Sequence, residues 1–306
     1  MNNIDDFEIF SLDSLKIGDS ILYDLYISID GSLKLVSHSL ALLDEDLKSK
    51  LNQHKALYIK KDEKLTINKN NIKHLIRQKK DNTKEALEVL YGVSDLFFDK
   101  FYKDKDDKLD VECMKSIVSS TILLLRYNER FINEAMAFFI KEHTLSSHSL
   151  QVCIYSLRLG MLLKLSEEEL VLLGIASLVH DIGYKKLPFD AIEKNEIFSD
   201  EEFELMKDHT NTAVDILLKN GIKNKTILDG VKNHHERYDG SGYPNALEKH
   251  QIDKCSSIIA ISDTFEALTN HRSYKKKLET FKALKLMVQD EKYNKSYLKV
   301  AIASLG

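Results

Sequence analysis

No tryptophan, two prolines and three cysteines are spread over 306 residues. So few prolines leave little to interrupt helices, and the chain is expected to be helix-rich. Cys113, Cys153 and Cys255 are odd in number, far apart and contain no CxxC pair. That fits a reducing cytoplasm and buried thiols better than a disulfide framework or a thiolate metal site. No apolar run approaches the roughly 18 residues of a membrane span, so no transmembrane segment is expected. The opening MNNIDDFEIF lacks a positive start followed by an apolar core, so no signal peptide is expected either. Charge of one sign is also missing. With 44 Lys+Arg against 48 Asp+Glu, the net charge of −4 makes no field that would recruit DNA or RNA. The basic clusters IKKDEK and IRQKKDNTK are interrupted by acids or polar residues and read as solvated surface.

What is present is 43% hydrophobic and 30% charged residues, a globular composition with ample length for a core. The first sixty residues differ from the rest. SILYDLYISIDGSLKLVSHS has two β-leaning runs around Asp30-Gly31, a dipeptide suited to a hairpin turn. LALLDEDLKSKLNQH reads as a short amphipathic helix and KALYIKK as a further strand. A polar stretch from Lys60 to Lys84 follows, and beyond it the period is helical. SEEEL at Ser166 and SDEEF at Ser199 both match the capping box, Ser with Glu three residues on. The expected fold is mainly α: a small α+β regulatory module with its polar linker over 1–84, then a helical metal-binding domain over 85–306.

Several histidines fall on apolar helix faces. His148 shares a stripe with Val152, Tyr155, Leu159 and Leu162, and His209 with Leu205, Ala213 and Ile216. ELVLLGIASLVHDIGY puts His180 and Asp181 at the end of an apolar helix, and NHHERYDGSGYP sets His234 beside His235. Neighbours on a helix point about 100° apart, so an ordinary amphipathic face does not ask for both. Asp263, in IIAISDTFEAL, is a lone carboxylate among apolar residues, which is costly unless it is partnered. One inward histidine is an ordinary core residue; five, with two aspartates, form a ligand set for zinc, iron or manganese.

HDIGY, HHERYDGSGYP and the later Asp263 resemble the motifs HDxGK and HHExxDGxGYP of HD-GYP domains, a branch of the HD phosphohydrolase superfamily. The resemblance covers about residues 130 to 300. It implies a helical bundle holding two divalent metal ions, iron first with manganese or zinc as alternatives, and hydrolysis of cyclic di-GMP or a related dinucleotide. Carried over by position, His148, His180, Asp181 and Asp263 hold one ion. Asp181, His209, His234 and His235 hold the other, with Asp181 bridging. HRSYKKK matches the segment bearing phosphate-binding cations, here Arg272 and Lys275. The loop from Gly240 to Pro244 is a candidate contact for a signalling protein, and Tyr243 for a base, a partner or ordinary packing. Glu236 and Arg237 are candidates for a pair that orients the histidine rings, or for a surface ion pair.

Two positions depart from the pattern. Tyr184 replaces the lysine of HDxGK, removing a cation expected at substrate phosphate; Lys185 is next door but points elsewhere. Thr144 stands where some relatives have a glutamate for a third metal, and Glu142 lies on another face. An intact ligand set with a missing cation leaves two readings: a phosphodiesterase, or a catalytically weak effector that binds nucleotide or protein.

Overall fold

The computed structural model describes residues 7–12, 17, 25–29, 32–37, 43–60, 82–128, 130–139, 144–187, 199–270 and 278–305. They fall into two compact units, within residues 1–74 and 75–306.

Among its described residues, the first unit is a four-stranded antiparallel sheet with one helix. Strands β1 (Phe7–Phe10), β2 (Leu25–Ile29), β3 (Ser32–Ser37) and β4 (Leu57–Lys60) lie in the order β1-β4-β2-β3. β2 and β3 pair from Leu25↔Ser37 to Ile29↔Ser32, with an irregularity between Leu25 and Tyr26. Helix α1 (Glu45–Asn52) is capped by the Asp44 carboxylate, which accepts from the Leu47 N–H at 2.7 Å. Leu25, Ile27, Leu43, Leu51, Leu57 and Ile59 meet in its core. Composition did not reveal β1: FEIF is short, and pairing with β4 from Phe7↔Lys60 to Phe10↔Leu57 makes it a strand. The Asp30-Gly31 turn lies outside the described residues.

The second unit is helical, and the whole is mainly α as its composition implies. Its helices are α2 (Thr83–Lys103), α3 (Val111–Tyr127), α4 (Phe131–Phe138), α5 (Leu145–Leu162), α6 (Glu167–Leu178), α7 (Asp200–Lys207), α8 (His209–Lys219), α9 (Lys225–Lys232), α10 (Lys254–Thr269), α11 (Thr280–Gln289) and α12 (Lys295–Leu305). Ser166 and Ser199 both form complete capping boxes, with Glu169 and Glu202.

Helices α5 and α10 are buried around nearly their whole circumference, the pattern of central helices. α5 packs on α2, α6 and α10, and α9 on α6, α8 and α10. Truncating a side chain at this centre, such as Leu157 or Ile258, both fully buried, is expected to cost about 2–5 kcal/mol. Among the described residues no helix is long and apolar enough to cross a membrane.

Candidate metal centre

Five segments of the helical unit deliver the predicted ligands. His148 lies in the first turn of α5, which Thr144 opens with a capping box to Ser147. α6 stops at Leu178, and the chain turns through His180 and Asp181 into a 3₁₀ helix, Ile182–Lys186. His209 opens α8, His234 and His235 follow the end of α9, and Asp263 sits inside α10. Gly183 lets the His180–Asp181 turn meet the His209 segment: a Cβ there would lie 1.9 Å from the His209 carbonyl oxygen. Leu205 does not share the His209 face as its spacing suggests. The chain turns at Asp208, leaving Leu205 on α7, half exposed, while Ala213 and Ile216 are buried beside His209. The His148 stripe is buried at Val152, Tyr155 and Leu159 and reaches the surface at Leu162.

The side chains form two groups. Asp181, His209, His234 and His235 make one; His148, His180 and Asp263 make the other. Within each, one ligand atom per residue lies within 4.8 Å of the rest. Asp181 stands between them. Its Oδ2 is 3.4 Å from His148 Nε2 and 3.3 Å from His180 Nε2, while Oδ1 is 3.2 Å from His209 Nε2 and 3.5 Å from His234 Nε2.

The imidazoles are oriented from behind. Nδ1–H of His180 donates to the Ser177 carbonyl at 2.8 Å, that of His209 to Met206 at 2.6 Å and that of His234 to Val231 at 2.7 Å. Carbonyls only accept, so Nδ1 carries the proton in each and Nε2 presents a lone pair in the neutral ring. His148 is held instead by a carboxylate, Glu266 Oε2, 2.7 Å from Nδ1. The Nε2 atoms therefore converge: His148 Nε2 and His180 Nε2 are 3.2 Å apart, and His209 Nε2 and His234 Nε2 are 3.5 Å apart. Asp181 Oδ1 and His235 Nε2 are buried without a hydrogen bond. Bare, this arrangement is repulsive and under-satisfied. A cation resolves it, and mixed imidazole and carboxylate donors suit a divalent one.

The protein's own charges pull the groups apart. Burial disfavours charge on His148, but Glu266 and Asp181 outweigh it and push the ring up to about 10. His180 is raised against burial by Asp181. Burial, then the neighbouring rings, push His234 down to about 4 and His235 well down. Burial opposes ionisation of Asp181, yet His180, His148 and His209 hold it well below the usual carboxylate range.

A model of the family described as HD domain matches residues 124–296, just over half the chain and every one of these ligands. The chain belongs to the HD domain family. Its complete HHERYDGSGYP motif puts it in the HD-GYP branch. It is 32% identical over 178 residues to a cyclic di-GMP phosphodiesterase of Thermotoga maritima, covering 53% of this chain and 48% of that protein. It is 32% identical over 142 residues to a cyclic di-GMP phosphodiesterase of Pseudomonas aeruginosa, covering 46% and 34%. Over 148 residues it is 33% identical to 3'3'-cGAMP-specific phosphodiesterase 2 of Vibrio cholerae, covering 48% and 28%. The chain thus spans a third to a half of these relatives' length, or less. Among solved structures, Bd1817, an HDG"Y"P protein from Bdellovibrio bacteriovorus, superposes with a TM-score of 0.68 at 16% identity, over 97% of this chain and 99% of that one. That likeness is one of fold.

Within this HD domain, the departures from the motif have visible consequences. The Tyr184 ring lies on the His209 imidazole, centroids 4.4 Å apart at 34°, and its hydroxyl is 3.8 Å from Met206 Sδ. Tyr243 stacks on His235 at 4.6 Å and 29°, with its hydroxyl 3.7 Å from the same sulfur. Two phenols thus cover two imidazoles of one group. Lys185 does point elsewhere: Nζ donates to the carbonyls of Phe101 at 2.6 Å and Asp104 at 2.5 Å. It also pairs at 3.1 Å with buried Asp107, which Lys186 and Lys219 reach at 2.8 and 3.3 Å. Burial works against the Asp107 anion, but Lys186, Lys185 and Lys219 prevail and hold it at about 2. Thr144 Oγ1 caps α5 and lies 2.8 Å from Ser146 Oγ. Arg272, Lys275 and Glu142 lie outside the described residues.

Two residues here escaped sequence reasoning, Glu266 and Asp107. Glu266 stands one turn after Asp263, the spacing that could have marked it, and its Oε1 accepts from Asn270 at 2.7 Å. Glu236 and Arg237 do not act as a pair. The Glu236 carboxylate accepts from the N–H groups of Asn245 at 2.6 Å and Leu247 at 2.9 Å, closing the glycine-rich loop. Arg237 donates to the carbonyls of His234 and Glu236 at 3.1 and 3.0 Å. Gly242 is required by this packing, since a Cβ would lie 2.4 Å from the Glu236 Cα. Asp107, the second residue missed, anchors the turn behind Asp181.

Proposed function

We propose that this chain is a metal-dependent phosphodiesterase that hydrolyses cyclic di-GMP or its linear dinucleotide. His148, His180, Asp181 and Asp263 hold one divalent ion and Asp181, His209, His234 and His235 a second, iron first, manganese or zinc otherwise. The observation that carries this reading is the Asp181 carboxylate, with one oxygen turned to each pair of imidazoles. The names of the relatives support the substrate class. Three cysteines, odd in number, far apart and without a CxxC pair, support a reducing cytoplasm.

When bound, a pair of divalent ions supplies an acidified water and neutralises charge on a phosphodiester. The chain's own groups do the rest. The Ser177, Met206 and Val231 carbonyls keep the Nδ1 protons in place, so Nε2 atoms face inward without rearrangement. Glu266 does the same for His148 with a full negative charge. Tyr184 and Tyr243 exclude water from one side of His209 and His235. Arg272 and Lys275, by motif position, meet phosphate oxygens, for which a guanidinium is well shaped. The Gly240–Pro244 loop is the surface offered to a signalling partner.

A second reading is favoured by one observation. A phenol stands where the motif has a cation, and Lys185 is turned to Asp107. In that reading the domain keeps its metals and binds nucleotide or protein without turnover. Overnight incubation of anaerobically iron- or manganese-loaded protein with cyclic di-GMP, with products separated by chromatography, decides between them. Linear dinucleotide or GMP is expected, with two metals per chain by elemental analysis. Tight nucleotide binding with no product selects the effector reading, and metal content near zero, or near three, overturns the two-ion site.

A further inference from the structure

The cation missing at Tyr184 raises the question of which positive charge remains beside the GYP tyrosine. Among the described residues, Lys185 is committed to Asp107 and two carbonyls. Arg237 is committed to the carbonyls of His234 and Glu236. Lys207 is left. It closes α7, the helix whose Met206 lies under both phenol hydroxyls. Its Nζ sits 4.9 Å from the ring centroid of Phe203 and 5.9 Å from that of Tyr243. Phe203, 41% exposed, meets Tyr243 edge-on at 6.4 Å. The rings form a ladder outward from a candidate ligand: His235, Tyr243, Phe203. A lysine over a phenylalanine one turn away is common on helix surfaces, but here the pair adjoins the ring that stacks on His235.

We infer that Phe203 and Lys207 bind a purine base of the substrate and that Lys207 favours guanine over adenine. The inference rests on the phosphodiesterase reading above and adds how that site tells nucleotides apart. An exposed aromatic face stacks on any base. The ammonium only donates. Guanine presents two acceptors on one edge, N7 and O6, whereas adenine pairs its N7 acceptor with an N6 donor. A lysine at the rim of the stack therefore rewards guanine and meets a like-sense donor on adenine. Two ring contacts out from a metal ligand is where a base attached to a bound phosphate would lie. The partner that Lys207 has now, Glu204 at 2.5 Å, is exposed and readily exchanged for a base edge, since such surface pairs are weak.

The test is equilibrium binding of slowly hydrolysed phosphorothioate analogues of cyclic di-GMP and cyclic di-AMP to the manganese-loaded full chain. Wild-type protein is expected to prefer the guanine analogue. Lys207→Met keeps the aliphatic stem over Phe203 and should narrow that preference about five- to tenfold, through weaker guanine binding. Phe203→Ala should weaken both analogues about five- to thirtyfold, and Phe203→Tyr should restore them. A preference unchanged in Lys207→Met, or both analogues weakened equally, overturns the inference alone, because the amine would then meet a phosphate common to both. A wild-type protein with full metal content that binds neither analogue overturns the phosphodiesterase reading as well.

Discussion

His148 keeps 14% of its side chain exposed and leans on the Glu266 carboxylate, while His209 and His234 are fully buried and lean on backbone carbonyls. His180, in the first group with His148, is as buried as these two and donates to the Ser177 carbonyl, so the contrast between the groups is carried by the other members. The first has Asp263, itself partly exposed, and negative charge behind its ring. The second has three imidazoles, two of them covered by Tyr184 and Tyr243. Glu266 and Asp181 raise the His148 ring to about 10 against its burial, while burial brings His234 down to about 4. A more basic ligand set holds a cation through charge; a neutral, enclosed one holds it through geometry and exclusion of water. On the two-ion proposal, the more open group is the one a substrate would approach, and the group covered by the phenols the one that would retain its ion.

The largest test of that contrast removes what the groups share. Asp181→Ala takes one oxygen from each, so both ions should be lost, with metal content falling to near zero and hydrolysis with it. His209→Ala touches only the covered group and should lower the content by about one ion per chain. Elemental analysis reads both, with circular dichroism to verify that the helices persist. Full metal content in Asp181→Ala at unchanged affinity would remove the bridge from the proposal.

The next test alters the support and spares the ligands. Glu266→Gln keeps the shape and removes the charge behind His148. Loss of such outer carboxylates weakens metal affinity about 10- to 100-fold, and here the loss should fall on one ion, with the other unaffected. Competition with a chelator, followed for each ion, measures it. Equal weakening of both would show that the groups are not independently supported.

Much of this centre is legible in the sequence because its ligands sit at helix ends and on apolar faces. HDIGY and HHERYDGSGYP carry four of the ligands at the ends of α6 and α9, where a turn can aim two neighbouring rings at one point. His148 and Asp263 show themselves as polar groups on apolar stripes. The supports do not. Glu266 reads as one more helical glutamate until α5 is laid beside α10, and Asp107 reads as one acid in a run of charges, DKDDK. Leu205 misleads because a periodic count carries straight through the turn at Asp208. Strand β1 is invisible for the reverse reason: four residues acquire their state only from pairing with β4, some fifty positions on.

A further substitution bears on the covered group. Tyr184→Lys restores the motif cation and removes the ring from His209. If one placed ammonium supplies about 1.5–2 kcal/mol to the transition state as a charged hydrogen bond, turnover rises about ten- to thirtyfold. Exposing His209 should at the same time speed loss of one ion. Rate at saturation, affinity and metal retention must be measured together, because ground-state binding alone would leave turnover unchanged. Faster turnover with unchanged retention would separate the two roles of position 184.

The smallest expected effect lies behind both groups, where Asp107 ties Lys185 and Lys186 of the 3₁₀ turn to Lys219 of α8. Its carboxyl is held at about 2 against an ordinary 3.8, a folded value below the unfolded one. Such a group contributes stability that is fully present above about pH 4 and is lost as pH falls through about 2. Two of the three lysines are well exposed, so the contribution is put at about 1–2 kcal/mol, below what the full shift implies. Asp107→Asn should therefore lower the urea midpoint at pH 7, and the gap from wild type should close between pH 4 and 2. Because Asp107 stands behind the turn and touches neither group, both ions should remain. A variant that loses one ion and keeps the other would place this anchor with a single half of the centre and redraw the boundary between them.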